Sequence, residues 1–175
     1  MASASELTFR VATEADLAVV LGLLTEAAEW AHERGIERWW PAPFPESWVL
    51  PSIERREVVV ASWRGEVVGR LTLTREDPRM WGERPPEAGY VHRLAVRREL
   101  AHRELGGALL SYAENEVRRW GRSKLRLDVS ATNLDLIRYY LRKGFHEVGR
   151  VTGGAPAGIF ASLLMEKEIE GTSRR

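Results

Sequence analysis

The sequence contains no cysteine, which excludes disulfide staples, thiolate metal sites and a cysteine nucleophile, and leaves the redox compartment undecided. Neither sign of charge dominates. With 26 Lys and Arg against 25 Asp and Glu, the formal net charge is +1, so the overall balance gives no nucleic-acid signal. No run of about 18 apolar residues is present, and the opening MASASELTFR lacks the basic-then-apolar pattern of a secretory signal. No nucleic acid or membrane is therefore expected as a partner, and the cytoplasm is the expected compartment. A dinucleotide fingerprint, a P-loop, a Ser-His-Asp arrangement and metal-ligand spacing are all missing, so no metal is expected. Internal repeats and low-complexity segments are absent too.

What is there is an ordinary globular composition: 175 residues, 44% hydrophobic and 29% charged. That length suits one domain with a substantial core. We expect it over residues 1–170, with 171–175 as a frayed tail.

Leu7 to Val11 alternates like a short strand. Thr13 and Asp16 open a helix with Leu17, Val20, Leu21, Leu24 and Ala28 on one face. Four prolines between Ile36 and Ser52 forbid a long helix there, so this aromatic stretch reads as loop with short helical pieces. Glu57–Trp63, the turn RGE and Val67–Thr74 form the clearest hairpin. The proline-containing REDPRMWGERPPE reads as a loop leading to a strand, Gly89–Val96. A helix over 103–120 carries Leu105, Leu109, Tyr112, Ala113, Val117 and Trp120 on one face. KLRLDVS is a strand. Asn133 caps a helix that Gly144 ends, with Phe145 beyond. Two last strands, Phe145–Val151 and Ile159–Glu168, are joined by TGGAPAG, read as flexible. The order β-α-β-β-β-α-β-α-β-β implies an α/β (α+β) fold: a mixed, mostly antiparallel central sheet flanked by helices, with one parallel pair.

The segment VRRELAHRELGGALL runs from a strand end into a helix. Such junctions bind phosphate through backbone amides and usually use glycines to do so. Here the turn is Ala101-His102-Arg103-Glu104-Leu105-Gly106, with Gly107 following.

Three segments over residues 89–150 resemble the GNAT superfamily of acetyl-CoA-dependent N-acetyltransferases. YVHRLAV resembles the family's central strand, and AHRELGGALL stands where the family has Arg/Gln-Gly-x-Gly-x-Gly/Ala. LDVSATNLDLIRYYLRKGF resembles its strand, Asn-x-x-Ala-x-x-x-Tyr helix and closing Gly-Phe, with Asn133, Tyr140, Gly144 and Phe145 in place. There are departures. Ala101 replaces the first Arg/Gln, His102 the first glycine and Glu104 the second, and Leu136 stands at the usual alanine. Gly106 is retained.

The resemblance implies acetyl-CoA as cosubstrate and a primary amine, most simply a small molecule, as acceptor. It assigns the CoA pyrophosphate to the amides of Ala101, His102, Arg103, Glu104, Leu105, Gly106 and Gly107, and the pantetheine arm to Leu94, Ala95 and Val96. Asn133 is a further CoA contact, or simply the helix cap. Backbone donors survive substitution, and a non-glycine residue at positive φ costs about 1–2 kcal/mol. A Glu104 carboxylate beside pyrophosphate would repel it by about 1–4 kcal/mol at 4 Å, depending on dielectric. Protonated His102 would help, and Arg97, Arg98 and Arg103 favour an anion.

A lysine-like amine is neutral in about 1 part in 2,500 at pH 7, a cost of about 4.6 kcal/mol. A base or a dry pocket should therefore assist. Tyr140 is the candidate general acid, about 1.5 pKa units above a thiol; its alternative is plain core packing. Tyr139 points about 100° away on a helix and is the weaker choice. His92 is the candidate base, ahead of Glu87 and His146; it is equally readable as a structural histidine. Strand alternation places Tyr90, His92, Leu94 and Val96 on one face. Trp39 and Trp40, with Phe44 and Trp48, would form an aromatic wall for substrate, or else a cover for the sheet or for the partner in a homodimer. Two rival functions remain open: a non-catalytic acyl-CoA-binding or regulatory module, and an acetyltransferase of protein N-termini or lysines.

Overall fold

A computed structural model describes residues 7–36, 44–155 and 158–169. Its strands are β1 (Leu7–Val11), β2 (Val58–Trp63), β3 (Glu66–Thr74), β4 (Ala88–Val96), β5 (Lys124–Ser130), β6 (His146–Ala155) and β7 (Gly158–Glu168). The helices are α1 (Leu17–Glu33), α2 (Leu50–Glu54), α3 (Pro78–Trp81), α4 (Leu105–Arg119) and α5 (Leu134–Arg142). The strands form a seven-stranded sheet in the order β1-β2-β3-β4-β5-β7-β6. Pairing is antiparallel for β1/β2, β2/β3, β5/β7 and β6/β7, and parallel for β4/β5. The expected element order and mixed, mostly antiparallel α/β sheet are both present.

The chain groups into two compact units, residues 1–73 with 93–112 and residues 74–92 with 113–175. In the first, β1 and β2 pair from Leu7↔Trp63 to Val11↔Val59. The apolar face of α1 then buries Val20 and Leu24 against Val58 and Val60 of β2, with Val49, Ile53 and Ala95 completing the cluster. A second cluster joins Val68, Leu100 and Leu105 to Leu7, Trp63 and Val96. The entrance to α1 is fixed by Asp16, whose carboxylate accepts from the Thr13 N–H at 2.8 Å and from both terminal nitrogens of Arg10 at 2.6 and 2.8 Å. The Arg10 hydrogen bonds, outweighing burial, hold the Asp16 carboxyl at a pKa of about 2. Arg70 on β3 is fully buried. It donates to the Arg93 carbonyl at 2.8 Å and to Thr72 Oγ1 at 2.8 Å, while its Nε has no hydrogen-bond partner among the described residues.

In the second unit, β4 and β5 run parallel from Ala88↔Lys124 to Val91↔Leu127. Gly89 is needed for close approach: a Cβ there would lie 2.2 Å from Val117 Cγ2 of α4. Gly144 ends α5 at φ +89°, a left-handed position that glycine takes without strain. Arg126 is buried, donating to Glu166 at 2.7 Å, to the Tyr90 hydroxyl at 2.9 Å and to Glu87 at 2.7 Å. The Trp81 ring covers its guanidinium at 5.1 Å.

Three segments differ from the sequence expectation. The proposed loop 75–87 contains α3, because Asp77 caps it by accepting from the Met80 N–H at 3.2 Å and Pro78 occupies its first turn. The proposed flexible link TGGAPAG is largely strand: Gly153, Gly154 and Ala155 pair with Phe160, Ile159 and Gly158, since ladder partners on β7 outweigh glycine's weak strand preference. Finally, Arg93 has φ +51° inside β4, so the regular alternation expected from Tyr90 through Val96 is interrupted there. The proline-rich stretch does hold short helical pieces, a 3-10 turn at Glu46–Trp48 and α2. Residues 171–175 lie outside the described residues.

Candidate active site

The strand-to-helix turn is one candidate. Helix α4 begins at Leu105 rather than at 103, and Ala108 is the first residue whose N–H reaches back along it, to the Glu104 carbonyl at 3.0 Å. The N–H groups of Leu105, Gly106 and Gly107 precede that bond and have no intrahelical acceptor. They are the donors an anion would take at the positive end of the helix dipole. Glu104 stands at φ +57°, so the turn adopts a glycine-type conformation without the glycine. His102, Arg103 and Glu104 are exposed, and Leu105 is buried as the anchor of the helix. Arg103 and Arg98 lie over tryptophan rings, Trp63 at 5.5 Å and Trp30 at 4.1 Å, and the Arg98 N–H donates to Glu26 at 3.2 Å.

A second candidate cluster lies in the other unit. The β4/β5 ladder ends at Val91↔Leu127, so His92 and Asp128 are the next residue on each strand. His92 Nε2 stands 3.1 Å from Thr74 Oγ1 and 4.0 Å from Asp77 Oδ2. The hydroxyl hydrogen of Thr74 goes to the Glu76 carbonyl at 2.9 Å, leaving Oγ1 to accept from Nε2 when that nitrogen carries a proton. Ligand atoms of Asp77, His92 and Asp128 all lie within 4.8 Å of one another.

Tyr140 is buried on α5, with the Tyr139 ring at 5.4 Å and the Phe145 ring at 5.6 Å, both edge-on. Burial, followed by the charges of Tyr139 and Asp128, pushes its phenol above the ordinary value. Asp128 thus acts electrostatically on Tyr140 and also stands beside His92.

Other sequence candidates fall elsewhere. Asn133 caps α5, its Oδ1 accepting from the Leu136 N–H at 3.1 Å. Glu87 is committed to Arg126 at 2.7 Å and Lys124 at 3.4 Å. His146 is exposed at the start of β6. Tyr139 has Lys143 Nζ over its ring at 5.5 Å. Trp39 and Trp40 lie outside the described residues, while Phe44 and Trp48 meet edge-on at 5.9 Å. Asp77 and Asp128 were missed by sequence reasoning. The signal for Asp128 was a lone acid on the same face of β5 as Arg126; Asp77, inside a proline loop, gave none.

The parallel β4/β5 pair is joined through α4 within a sheet whose β1/β2, β2/β3, β5/β7 and β6/β7 pairs are antiparallel. The acetyltransferase (GNAT) family model matches residues 39–145. The uncharacterized N-acetyltransferase YesJ of Bacillus subtilis (strain 168) is 30% identical over 161 residues, 88% of this chain and 86% of its own. A GNAT-family acetyltransferase from Listeria monocytogenes, 24% identical, superposes with a TM-score of 0.76 over 93% of this chain and 94% of its own. The yncA acetyltransferase of Salmonella typhimurium, solved with its cofactor acetyl-CoA, is 20% identical with a TM-score of 0.70, covering 97% of each chain. The chain belongs to the acetyltransferase (GNAT) family. It is an acyltransferase that acts with acetyl-CoA. Among the described residues no helix is long and apolar enough to cross a membrane.

Proposed function

We propose that this enzyme, one domain over residues 1–170, transfers the acetyl group of acetyl-CoA to a small-molecule primary amine by direct attack, with His92 taking a proton from the amine and Tyr140 returning one to the thiolate. The observation that carries this reading is the position of Asp128, which stands beside His92 and whose charge reaches Tyr140.

When bound, acetyl-CoA supplies a thioester whose carbonyl carbon is the electrophile. The α4 turn fits its diphosphate, because Glu104 already holds the left-handed conformation that brings the Leu105, Gly106 and Gly107 amides to the helix start. The backbone of Leu94, Ala95 and Val96 takes the pantetheine arm as an added strand would, with an N–H for the thioester oxygen. Ala101, His102 and Arg103 complete the turn, and Asn133 caps α5 beside the substrate path. Trp39 and Trp40 are assigned to the acceptor.

His92 accepts at Nε2 with its own proton on Nδ1. Once Nε2 is protonated, Thr74 Oγ1 accepts from it. The acceptor nitrogen then bonds the acyl carbon as the C–S bond breaks. It sheds two protons overall, the first to His92 before attack and the second after attack to solvent. The departing thiolate gains one from Tyr140, and solvent returns a proton to the tyrosinate, leaving one net proton released through His92. Burial makes Tyr140 a weaker acid than a free tyrosine, so its transfer to the thiolate is uphill and is drawn forward by formation of the amide. No enzyme-bound acyl group is required, since holding both reactants in line supplies much of the rate.

The test follows CoA thiol release over a panel of small primary amines. The wild type should turn over at least one. Tyr140→Phe should lose about 100-fold in kcat, while its calorimetric CoA affinity stays within about two-fold of wild type. CoA binding with no turnover on any amine, or an undiminished kcat in Tyr140→Phe, sinks the reading.

A further inference from the structure

The Asp77, His92 and Asp128 group contains a buried carboxylate oxygen that accepts no hydrogen bond among the described residues. Asp77 Oδ1 caps α3, but Oδ2 is buried and accepts no hydrogen bond among the described residues; the side chain is only 9% exposed. That oxygen is turned toward the group, 4.0 Å from His92 Nε2. A buried acceptor without a donor is costly, and the cost is removed when a donor arrives.

Spacing selects the donor. An atom about 2.8 Å from both Asp77 Oδ2 and His92 Nε2, the length of a charge-assisted hydrogen bond, subtends an angle of about 90° between them. A transition metal about 2.1 Å from both would subtend about 145°, far from tetrahedral. The third member, Asp128, has a carboxylate oxygen within 4.8 Å of a ligand atom of each of the other two, close enough for one group with several N–H bonds to reach all three. Two carboxylates and one imidazole favour a small cation with several N–H donors over an anion or a neutral group.

We propose that Asp77, Asp128 and His92 form the seat of the acceptor's ammonium group. Resting on the acetyl-transfer reading, this adds Asp77 and Asp128 as the residues that position the acceptor amine, which arrives protonated. Two of its N–H bonds go to Asp77 Oδ2 and the Asp128 carboxylate, and the third is directed at His92 Nε2. Asp77 and Asp128 then select for charge and substitution at nitrogen. A quaternary ammonium, with no N–H to give, is refused.

The experiment needs no knowledge of the true acceptor. Hexylammonium chloride is titrated into the full chain while the His92 imidazole resonance is followed by NMR; with four histidines in the sequence, assignment by His92→Gln is direct. Tetramethylammonium and zinc chlorides serve as comparators. Hexylammonium should move the His92 signal saturably, and tetramethylammonium should not. Asp77→Asn, and separately Asp128→Asn, should each weaken the hexylammonium response about ten-fold, while Glu83→Gln leaves it unchanged. The proposal is overturned if hexylammonium leaves His92 unmoved, if both Asn variants respond as wild type does, or if zinc saturates the signal where hexylammonium fails. Failure of acetyl transfer would be read separately, as absent thiol release, and would leave this titration standing.

Discussion

Arg70 in the first unit and Arg126 in the second are both hidden from solvent, yet they are held in opposite ways. Arg126 finds two carboxylates and a phenol, and an indole covers its face. Arg70 has a carbonyl and a hydroxyl, no hydrogen-bonded carboxylate among the described residues, and Arg93 as a charged neighbour. Burial first, then Arg93, lowers the pKa of Arg70; at Arg126 burial also works against the charge, but the bonds to Glu166 and Tyr90 overcome it. The difference shows what a buried cation stabilises. Arg126 neutralises acids that would otherwise be stranded, whereas Arg70 fastens one strand's carbonyl to the next at the point where β4 leaves its regular course.

Removing each arginine tests that contrast. Arg126→Met should cost about 3 kcal/mol in denaturant unfolding, because Glu166 and Glu87 lose their main partner and only Lys124 remains beside them. Adding Glu166→Leu to it should recover part of the loss. Asp16→Asn comes next. Its carboxyl is held at about 2, below the ordinary value near 3.9, so the contribution is complete above about pH 4 and lost as pH falls toward 2. Because Arg10 is half exposed, we expect a loss of about 1 kcal/mol at pH 7. The variant's stability should also fall less steeply than wild type's between pH 4 and 2 in acid-titrated melts. Arg70→Met should have the smallest effect, at most about 1 kcal/mol, since it strands a carbonyl and a hydroxyl but no acid. A cost at Arg70 equal to that at Arg126 would erase the distinction.

The contrast also separates what the sequence carried from what it did not. Periodicity located every strand and long helix, because amphipathic spacing is dictated by which side faces the core. It missed α3, whose cap is a single aspartate beside a proline, and it missed the strand character of Gly153–Ala155, which depends on partners distant in sequence. Within the candidate site, Tyr140 and Asn133 were singled out only by the resemblance of their helix to the family's, and the turn by its setting between two matching segments. Asp77 was not legible. Its closeness to His92 exists only because α3 folds back beside β4, and no local pattern encodes that contact. The interruption at Arg93 was equally silent, since arginine carries no preference for a left-handed backbone.

Glu104 carries a last consequence. A glutamate wound into a left-handed turn is held there by what surrounds it, since in isolation this residue would relax to another shape. On the proposed reading, in which the amides behind it take the coenzyme's diphosphate, those donors are set before the nucleotide arrives. Capture of the coenzyme should proceed as a single encounter, without a slow rearrangement afterwards, and its speed should be governed by diffusion and salt rather than by the folding of a loop.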